Sequence, residues 1–393
     1  MPFKECSIVS EREEFCRLAL RPGANVRELC RRFGIGSATA YKWLGRYREL
    51  GEAGLADRSR RPASSPRRTA DELEAEVLAV RQAHPAWGGR KIRRALENQG
   101  LSAPSASTIT AILRRHGRLD GPGAGERRAF IRFEHPEPND LWQMDFKGHA
   151  PLGAGARLHP LTVLDDHSRY ALVIGACGDE RTETVKTRLT AAFRRYGLPR
   201  RILSDNGPPW GSGGRGEHTA LEVWLMDLDV GLPHGRPYHP QTQGKDERFH
   251  RTLNEEVMAP RRFADLTEAQ AAFDAWRRVY NAERPHEAIG LAVPADRYRP
   301  SPRAMPGAIE PPAYRPDDHV RLVQREGWIS FKSRRIRCSK AFAGRHVGLR
   351  ATQTDGVFDL HYRTRLLARI DLRENAVQPV HHVPEQALTM SPV

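Results

Sequence analysis

The chain has 393 residues, and its 63 Lys and Arg against 48 Asp and Glu give a formal net charge of +15 and a pI near 10.0. That length exceeds what one hydrophobic core serves, so about two to four domains are expected, and the excess of arginine favours a polyanionic partner. No apolar run has the length of a membrane span, and the five cysteines lack zinc-site spacing, which argues against membrane proteins and secreted disulfide scaffolds. The expected location is the cytoplasm, in association with the nucleoid.

The first predicted domain is a helix-turn-helix DNA-binding domain over residues 8–57. Apolar residues recur at helical spacing, and a Phe-Gly-Ile-Gly segment predicts the turn before a last helix that has Ser37 as its N-cap. That helix presents Thr39, Lys42 and Arg46, which is typical of a recognition helix in the DNA major groove. The alternative is an ordinary solvated helical hairpin.

A basic linker and a second helical domain follow. Residues 58–69 are rich in Ser, Pro and Arg and are expected to be extended, so that their side chains could meet DNA phosphates. Residues 70–119 repeat the helical periodicity and predict a second helix-turn-helix domain. The candidate DNA contacts in these two segments are Arg60, Arg61, Ser107 and Arg114.

After a second linker over residues 120–133, the periodicity changes to short apolar strands and intervening helices. Residues 134–299 have three strands followed by alternating helix and strand, which predicts an α/β RNase H-like core around a mixed five-stranded sheet. Alternating apolar and polar residues over 317–375 predict a small β-barrel, and residues 376–393 are interpreted as a tail. The expected protein is therefore multidomain, with all-α helix-turn-helix units, an α/β core and a β-barrel.

Three acids stand in distinctive local sequences: Asp145 in Leu-Trp-Gln-Met-Asp-Phe, Asp205 in Ile-Leu-Ser-Asp-Asn-Gly, and Glu247 near the start of a polar-faced helix. The first two lie at the ends of strand-like runs. Two strand ends and a helix can bring three carboxylates to one place, and such a trio suits two hard divalent cations at a phosphodiester. Asp246 and Glu256 are rival third acids, although a helix places Asp246 about 100° away from Glu247.

Taken in order along the chain, these sequences resemble the motifs of bacterial insertion-sequence transposases with a retroviral-integrase-like DDE core. The matching segments are Asp-Phe at 145–146, Leu-Asp-Asp-His-Ser-Arg at 164–169, Ser-Asp-Asn-Gly at 204–207, His-Pro-Gln-Thr-Gln-Gly-Lys at 239–245, Glu-Arg-Phe-His-Arg at 247–251 and Tyr-Asn-x-x-Arg-Pro-His at 280–286. The resemblance implies that Asp145, Asp205 and Glu247 are the catalytic acids and hold two Mg²⁺ ions, for which Mn²⁺ would substitute. The interval between Asp205 and Glu247 is longer than in the compact form of the pattern, and the Gly-rich residues 211–216 account for the difference.

The same resemblance implies a Mg²⁺-dependent polynucleotidyl transferase that nicks the ends of an insertion element and joins them to target DNA. Its partners would be double-stranded DNA, at terminal inverted repeats and target sites, and further copies of the chain in a synaptic complex. Lys245 and Arg248 are candidate phosphate contacts near the scissile bond, and Asp165 and Asp166 are interpreted as turn residues. No P-loop occurs, so no ATP is expected. The alternatives are a transcription regulator with an inactive core and an RNase H-like nuclease without strand transfer.

Overall fold

The computed structural model describes residues 7–58, 68–119, 134–211, 217–233, 244–374 and 376–379. Arg60 and Arg61 of the predicted linker, and most of the Gly-rich segment at 211–216, lie outside these residues. Contacts along the chain divide it into two compact units, Met1–Arg68 and Thr69–Val393. Within the described ranges, no helix combines the length and the apolar character that crossing a membrane requires.

The first unit contains three helices that share one core. They are α1 (Ile8–Ala19), α2 (Val26–Arg32) and α3 (Ser37–Leu50). Apolar side chains at helical spacing, among them Phe15 and Leu44, pack together. Gly34 has a φ of 63°, a left-handed conformation that glycine tolerates, and forms part of the turn before α3. The expected Ser37 N-cap is wrong, because Gly36, whose backbone is extended, occupies the cap position and Ser37 is the first helical residue.

The second unit begins with three more helices. They are α4 (Asp71–Ala83), α5 (Gly89–Asn98) and α6 (Ala106–Arg115). Ser105 caps α6, because its hydroxyl accepts the amide N–H of Thr108 at 3.2 Å. The buried Glu74 of α4 pairs with Arg115 and hydrogen-bonds the His116 ring at 3.2 Å, which ties α4 to the end of α6. The prediction of helical N-terminal units is confirmed.

A mixed five-stranded sheet forms the centre of the second unit, as predicted. Its strands are β1 (Trp142–Phe146), β2 (Ala150–Pro151), β3 (Arg157–Asp165), β4 (Ala171–Cys177) and β5 (Ile202–Leu203). The long strand β3 pairs antiparallel with β1, β2 and β4, whereas β1 pairs in parallel with β5. The central position of β1 matters for the site, because it carries the first candidate acid.

Helices cover both faces of this sheet. They are α7 (Thr182–Tyr196), α8 (Ala220–Asp227), α9 (Gly244–Leu253), α10 (Leu266–Ala282) and the short α11 (Pro294–Arg297). Apolar side chains of α7 and α8 pack with β1 residues such as Trp142 and Met144 on one face. On the other face, Phe249 of α9 and Phe273 of α10 belong to a second core. α9 therefore lies on the sheet face opposite α7 and α8.

The C-terminal region is a β domain, but the predicted closed barrel is not confirmed. Its strands are β6 (His319–Leu322), β7 (Trp328–Phe331), β8 (Arg334–Arg337), β9 (His346–Ala351), β10 (Val357–Tyr362), β11 (Arg365–Asp371) and β12 (Ala376–Pro379). The described strands form an antiparallel sheet in the order β12-β11-β10-β9-β6 and a separate β7–β8 hairpin. β6 and β12 lie at opposite edges without pairing to each other, so the sheet stays open. β12 falls in the segment that was predicted as a tail.

Asp227, the last residue of α8, joins the core to the β domain. Its side chain is buried and accepts hydrogen bonds from Arg345 and the Tyr362 hydroxyl, each at 2.5 Å, and from Arg363 at 3.1 Å. Val223, one turn earlier on α8, packs into the apolar core of the β domain. The two regions therefore share polar and apolar contacts within one compact unit.

Candidate active site and DNA-binding surfaces

Two of the predicted acids lie side by side at one edge of the central sheet. β1 and β5 pair in parallel with Gln143 opposite Leu203. Asp145 and Asp205 each stand two residues beyond this pair, and the charge of Asp205 acts on Asp145. Neighbouring strands are about 4.8 Å apart, and residues in register on parallel strands point to the same face. The local strand sequences therefore bring these two carboxylates together.

Burial and neighbouring acids disfavour the ionised form of Asp145. Burial, followed by the charge of Asp205, raises the pKa of Asp145 to about 7, and Glu180 and Glu247 act in the same direction. The Asp145 side chain is 27% exposed, so a ligand can still reach it. A hard divalent cation favours oxygen ligands and would relieve the repulsion between the two acids. The residues at this edge therefore fit a Mg²⁺ or Mn²⁺ ion.

The turn that carries Asp205 is held beside β1. The amide N–H of Gly207 donates to Asp205 Oδ1 at 3.2 Å, which closes the turn. Three residues further on, Trp210 stacks on Phe146 with ring centroids 5.3 Å apart. Because Phe146 follows Asp145 directly, this aromatic contact fixes the two acid-bearing segments together.

His250 of α9 contacts the site, and sequence reasoning missed it. Its Nδ1 lies 3.9 Å from Asp145 Oδ2, and its Nε2 lies 2.8 Å from the hydroxyl of Thr162, which donates to the Asp145 carbonyl at 3.1 Å. Burial and the charge of Lys147 lower the pKa of His250 to about 4, so the ring is neutral at pH 7. The available signal was its position three residues after Glu247, which puts both on one side of a helix.

The predicted third acid, Glu247, is less closely associated with Asp145 than Asp205 is. Glu247 is exposed at the start of α9, and its charge adds only a minor contribution to the raised pKa of Asp145. Asp246 is instead 3% exposed, and its Oδ1 has no hydrogen-bond partner among the described residues. Glu256, the other rival, accepts the Trp276 indole N–H at 2.8 Å. Among the residues that the structure describes, no three His, Cys, Asp or Glu side chains come close enough to hold a metal ion.

The two predicted phosphate contacts on α9, Lys245 and Arg248, differ in exposure. The ammonium group of Lys245 donates to the carboxylate of Asp166, and burial lowers the pKa of Lys245 to about 8. The Lys245 side chain is half-buried in this pair, and its contact with a DNA phosphate stays a prediction. Arg248 is exposed. Asp165 accepts the Ser168 hydroxyl at 2.6 Å, in agreement with its interpretation as a turn residue.

On α3 of the first unit, the predicted DNA contacts surround one tryptophan. The Lys42 ammonium lies 4.5 Å from the centre of the Trp43 ring, and the Arg46 guanidinium lies 4.9 Å from it. Thr39 and Lys42 are exposed, whereas Arg46 is half-buried. Tyr41 on the same helix is 63% exposed. The α3 surface therefore offers hydroxyl, ammonium and aromatic groups.

On α6 of the second helical set, Ser107 and Arg114 are both exposed. The Ser107 hydroxyl lies 2.8 Å from the hydroxyl of the capping residue Ser105. The next arginine, Arg115, pairs with the buried Glu74 and so has a structural role. The structure thus separates a solvent-facing arginine from an adjacent one that holds the helices together.

Known protein families match the successive regions of the chain. Two models described as integrase core domain match residues 135–240 and 228–294, and the model described as the C-terminal domain of IS481 family transposases matches residues 318–378. A helix-turn-helix domain model matches residues 11–63, and a homeodomain-like domain model matches residues 39–113. The candidate acids Asp145 and Asp205 therefore both lie within an integrase core match.

Two proteins of bacterial insertion elements are similar to part of this chain. An uncharacterized 31.7 kDa protein of insertion element IS407 from Burkholderia multivorans is 28% identical over 232 residues, which cover 57% of this chain and 81% of that protein. An uncharacterized 39.2 kDa protein of insertion element IS476 from Xanthomonas euvesicatoria is 27% identical over 249 residues, or 62% of this chain and 69% of that protein. The crystal structure of the BIV integrase catalytic core domain is 24% identical and covers 40% of this chain and 92% of that chain, with a TM-score of 0.30. The ordered domain matches and the two insertion-element relatives identify the chain as a bacterial insertion-sequence transposase with an integrase-like core.

Proposed function

We propose that this transposase cuts the ends of its insertion element by metal-dependent hydrolysis and joins them to target DNA by direct transesterification. The observation that carries the proposal is the parallel pairing of β1 and β5, because Asp145 and Asp205 stand two residues beyond the paired Gln143 and Leu203. The pKa of Asp145, which is raised first by burial and then by the charge of Asp205, supports it, because a bound cation would favour the ionised form. Such a pair is suited to a divalent cation at a phosphodiester.

The proposed reaction has two steps. In the first, a water oxygen attacks the phosphorus at the element end, the bond from phosphorus to the 3′ oxygen breaks, and a 3′-hydroxyl is released. In the second, that 3′ oxygen attacks a target phosphorus and displaces a target 3′ oxygen, so the number of phosphodiester bonds is conserved. No ATP is needed, since each step exchanges one phosphorus–oxygen bond for another.

Asp145, Asp205 and Glu247 are the residues proposed to hold two Mg²⁺ ions. When bound, such ions activate the attacking oxygen and stabilise the leaving one. Glu247 is chosen over Asp246 because its carboxylate is exposed and open to a ligand, whereas Asp246 is buried. His250, neutral at pH 7, would hold the Asp145 strand in place through Thr162 without adding charge.

The helix-turn-helix units are proposed to bind the element ends. Thr39 and Lys42 of α3 and Ser107 and Arg114 of α6 are exposed and polar, as base or phosphate contacts require. Because the two ends must be joined in one event, the active form is proposed to be a multimer in a synaptic complex. Arg248 would then contact phosphates near the bond that is cut.

The test compares acid-to-amide variants of the whole protein on an end duplex. The duplex is taken from inverted repeats in the DNA that flanks the gene. Asp145→Asn, Asp205→Asn and Glu247→Gln should each abolish nicking and joining in Mg²⁺ and leave end binding largely intact, because charge is lost but shape is kept. The matched control is Glu183→Gln on α7, where the exposed Glu183 pairs with Lys186 at 3.0 Å.

Three outcomes would contradict parts of the proposal. Nicking by the Glu247→Gln variant at the wild-type rate would move the third ligand to another acid. Cleavage without joined products would favour the plain nuclease. End binding without metal-dependent cleavage would favour the transcription regulator.

A further inference from the structure

Asp166 occupies a buried position between two parts of the candidate active site. It follows β3 directly and is 1% exposed. Its Oδ2 accepts the amide N–H of His135 at 2.8 Å, and its Oδ1 accepts the side-chain amide of Gln143 at 2.6 Å and the ammonium group of Lys245. A carboxylate that is removed from water needs such donors, and here each donor comes from a different segment of the chain.

Two of these donors lie close in sequence to the candidate acids. Gln143 lies two residues before Asp145 on β1, and Lys245 lies two residues before Glu247 on α9. On a strand, residues two apart point to the same face, so Gln143 and Asp145 share a side of the sheet. Asp166 is thus bonded both to the strand that carries Asp145 and to the helix that carries Glu247.

The bond to Lys245 also sets how α9 is rotated about its axis. Residues two apart on a helix point about 200° from each other, so Glu247 is directed away from the side on which Lys245 meets Asp166. His250 lies about 60° from Glu247 on the same helix and reaches Asp145 at 3.9 Å. With Lys245 held on Asp166, α9 turns His250 toward Asp145, and Glu247 lies next to His250 at the exposed margin of that side.

We propose that Asp166 is a positioning residue that clamps α9 to β1 through Lys245 and Gln143, and so fixes Glu247 relative to Asp145. The inference rests on the proposed metal-dependent function, because its consequence is a metal site of defined shape. Residues that orient metal ligands typically change metal affinity by about 10–100-fold when they are removed. Lys245 is accordingly assigned to the clamp, whereas the phosphate contact on α9 is left to Arg248.

The experiment measures Mn²⁺ affinity of the full-length protein from the paramagnetic resonance signal of free Mn²⁺. Asp166→Asn and Lys245→Met should each weaken Mn²⁺ binding by about 10–100-fold. Lys245→Arg, which keeps a cationic donor, should recover most of the affinity. The matched control is Lys186→Met, which breaks an exposed Lys–Glu pair on α7 and should bind Mn²⁺ like the wild type.

A double variant separates positioning from simple loss of stability. If both residues act through one contact, Asp166→Asn with Lys245→Met should bind Mn²⁺ about as well as either single variant, because the effects are not additive. A purely structural role would lower the melting temperature but leave the Mn²⁺ affinity of the folded protein unchanged. Wild-type affinity in Lys245→Met, or a double variant as weak as the product of the single effects, would overturn the clamp alone. A wild-type protein that binds no Mn²⁺ would overturn the metal-dependent function as well.

Discussion

The raised pKa of Asp145 predicts that metal affinity depends steeply on pH near neutrality. Metal binding requires the carboxylate form, and protons compete with the metal for it. With a pKa of about 7, about one tenth of Asp145 is ionised at pH 6 and about nine tenths at pH 8. Affinity for the first Mn²⁺ should therefore be about tenfold higher at pH 8 than at pH 6. The affinity is lost as the pH is lowered through 7, where Asp145 takes up its proton.

Calorimetric titration of the metal-free protein with Mn²⁺ at several pH values measures this dependence. His250 does not contribute over this range, because its pKa of about 4 keeps it neutral throughout. Asp145→Asn should bind more weakly and lose most of the rise between pH 6 and pH 8, whereas the surface variant Glu183→Gln should keep it. A wild-type affinity that is flat over this range, or a tenfold rise that persists in Asp145→Asn, would refute the assignment of the titrating group.

Further predictions concern the DNA-binding units and the β domain. Replacing Arg60 and Arg61 with Ala should weaken binding to cognate and scrambled duplexes alike, and lower the salt slope by about one unit per lost contact. Lys42→Ala should instead cost about 1–3 kcal/mol of discrimination between cognate and scrambled duplexes. Gel-shift titrations compare the two variants, and a linker variant that loses only cognate binding would contradict this assignment of roles. Asp227→Ala should lower the free energy of unfolding by roughly 3 kcal/mol, because it leaves buried donors unpaired, while Asp359→Ala, at a more exposed pair, should cost less than about 1 kcal/mol. Denaturant unfolding followed by fluorescence compares the two, and equal losses would count against the Asp227 anchor.

Local patterns were sufficient to predict much of the fold. Alternating helix and strand were predicted within residues 134–299, and α7 is such a helix, because its apolar spacing fixes its buried face and Gly197 marks its end. The convergence of Asp145 and Asp205 also followed from sequence, since both come at the ends of apolar runs that pair in parallel.

Features that depend on distant parts of the chain could not be predicted in this way. Lys245 and Asp166 are 79 residues apart, and nothing in the local sequence of a lysine at a helix start distinguishes a buried ion pair from a phosphate contact. The closed barrel was expected from strand alternation, but closure depends on whether the two edge strands pair, which alternation does not specify. Asp246 is an intermediate case, because it extends the buried stripe of Phe249 and Leu253 on α9 by one turn and could have been found there.

The contacts of Asp227 limit how the β domain can be exchanged between related transposases by recombination. The predicted boundary between core and β domain falls in a Pro-rich stretch, yet Tyr362 and Arg345 from beyond it close over a carboxylate of α8, and the Ser339 hydroxyl donates to the His218 carbonyl at 3.1 Å. A chimera that takes its β domain from a relative would therefore place foreign donors against Asp227, or leave that buried charge unmatched. Recombination between related elements at this point should be tolerated only when α8 and the β domain are inherited together.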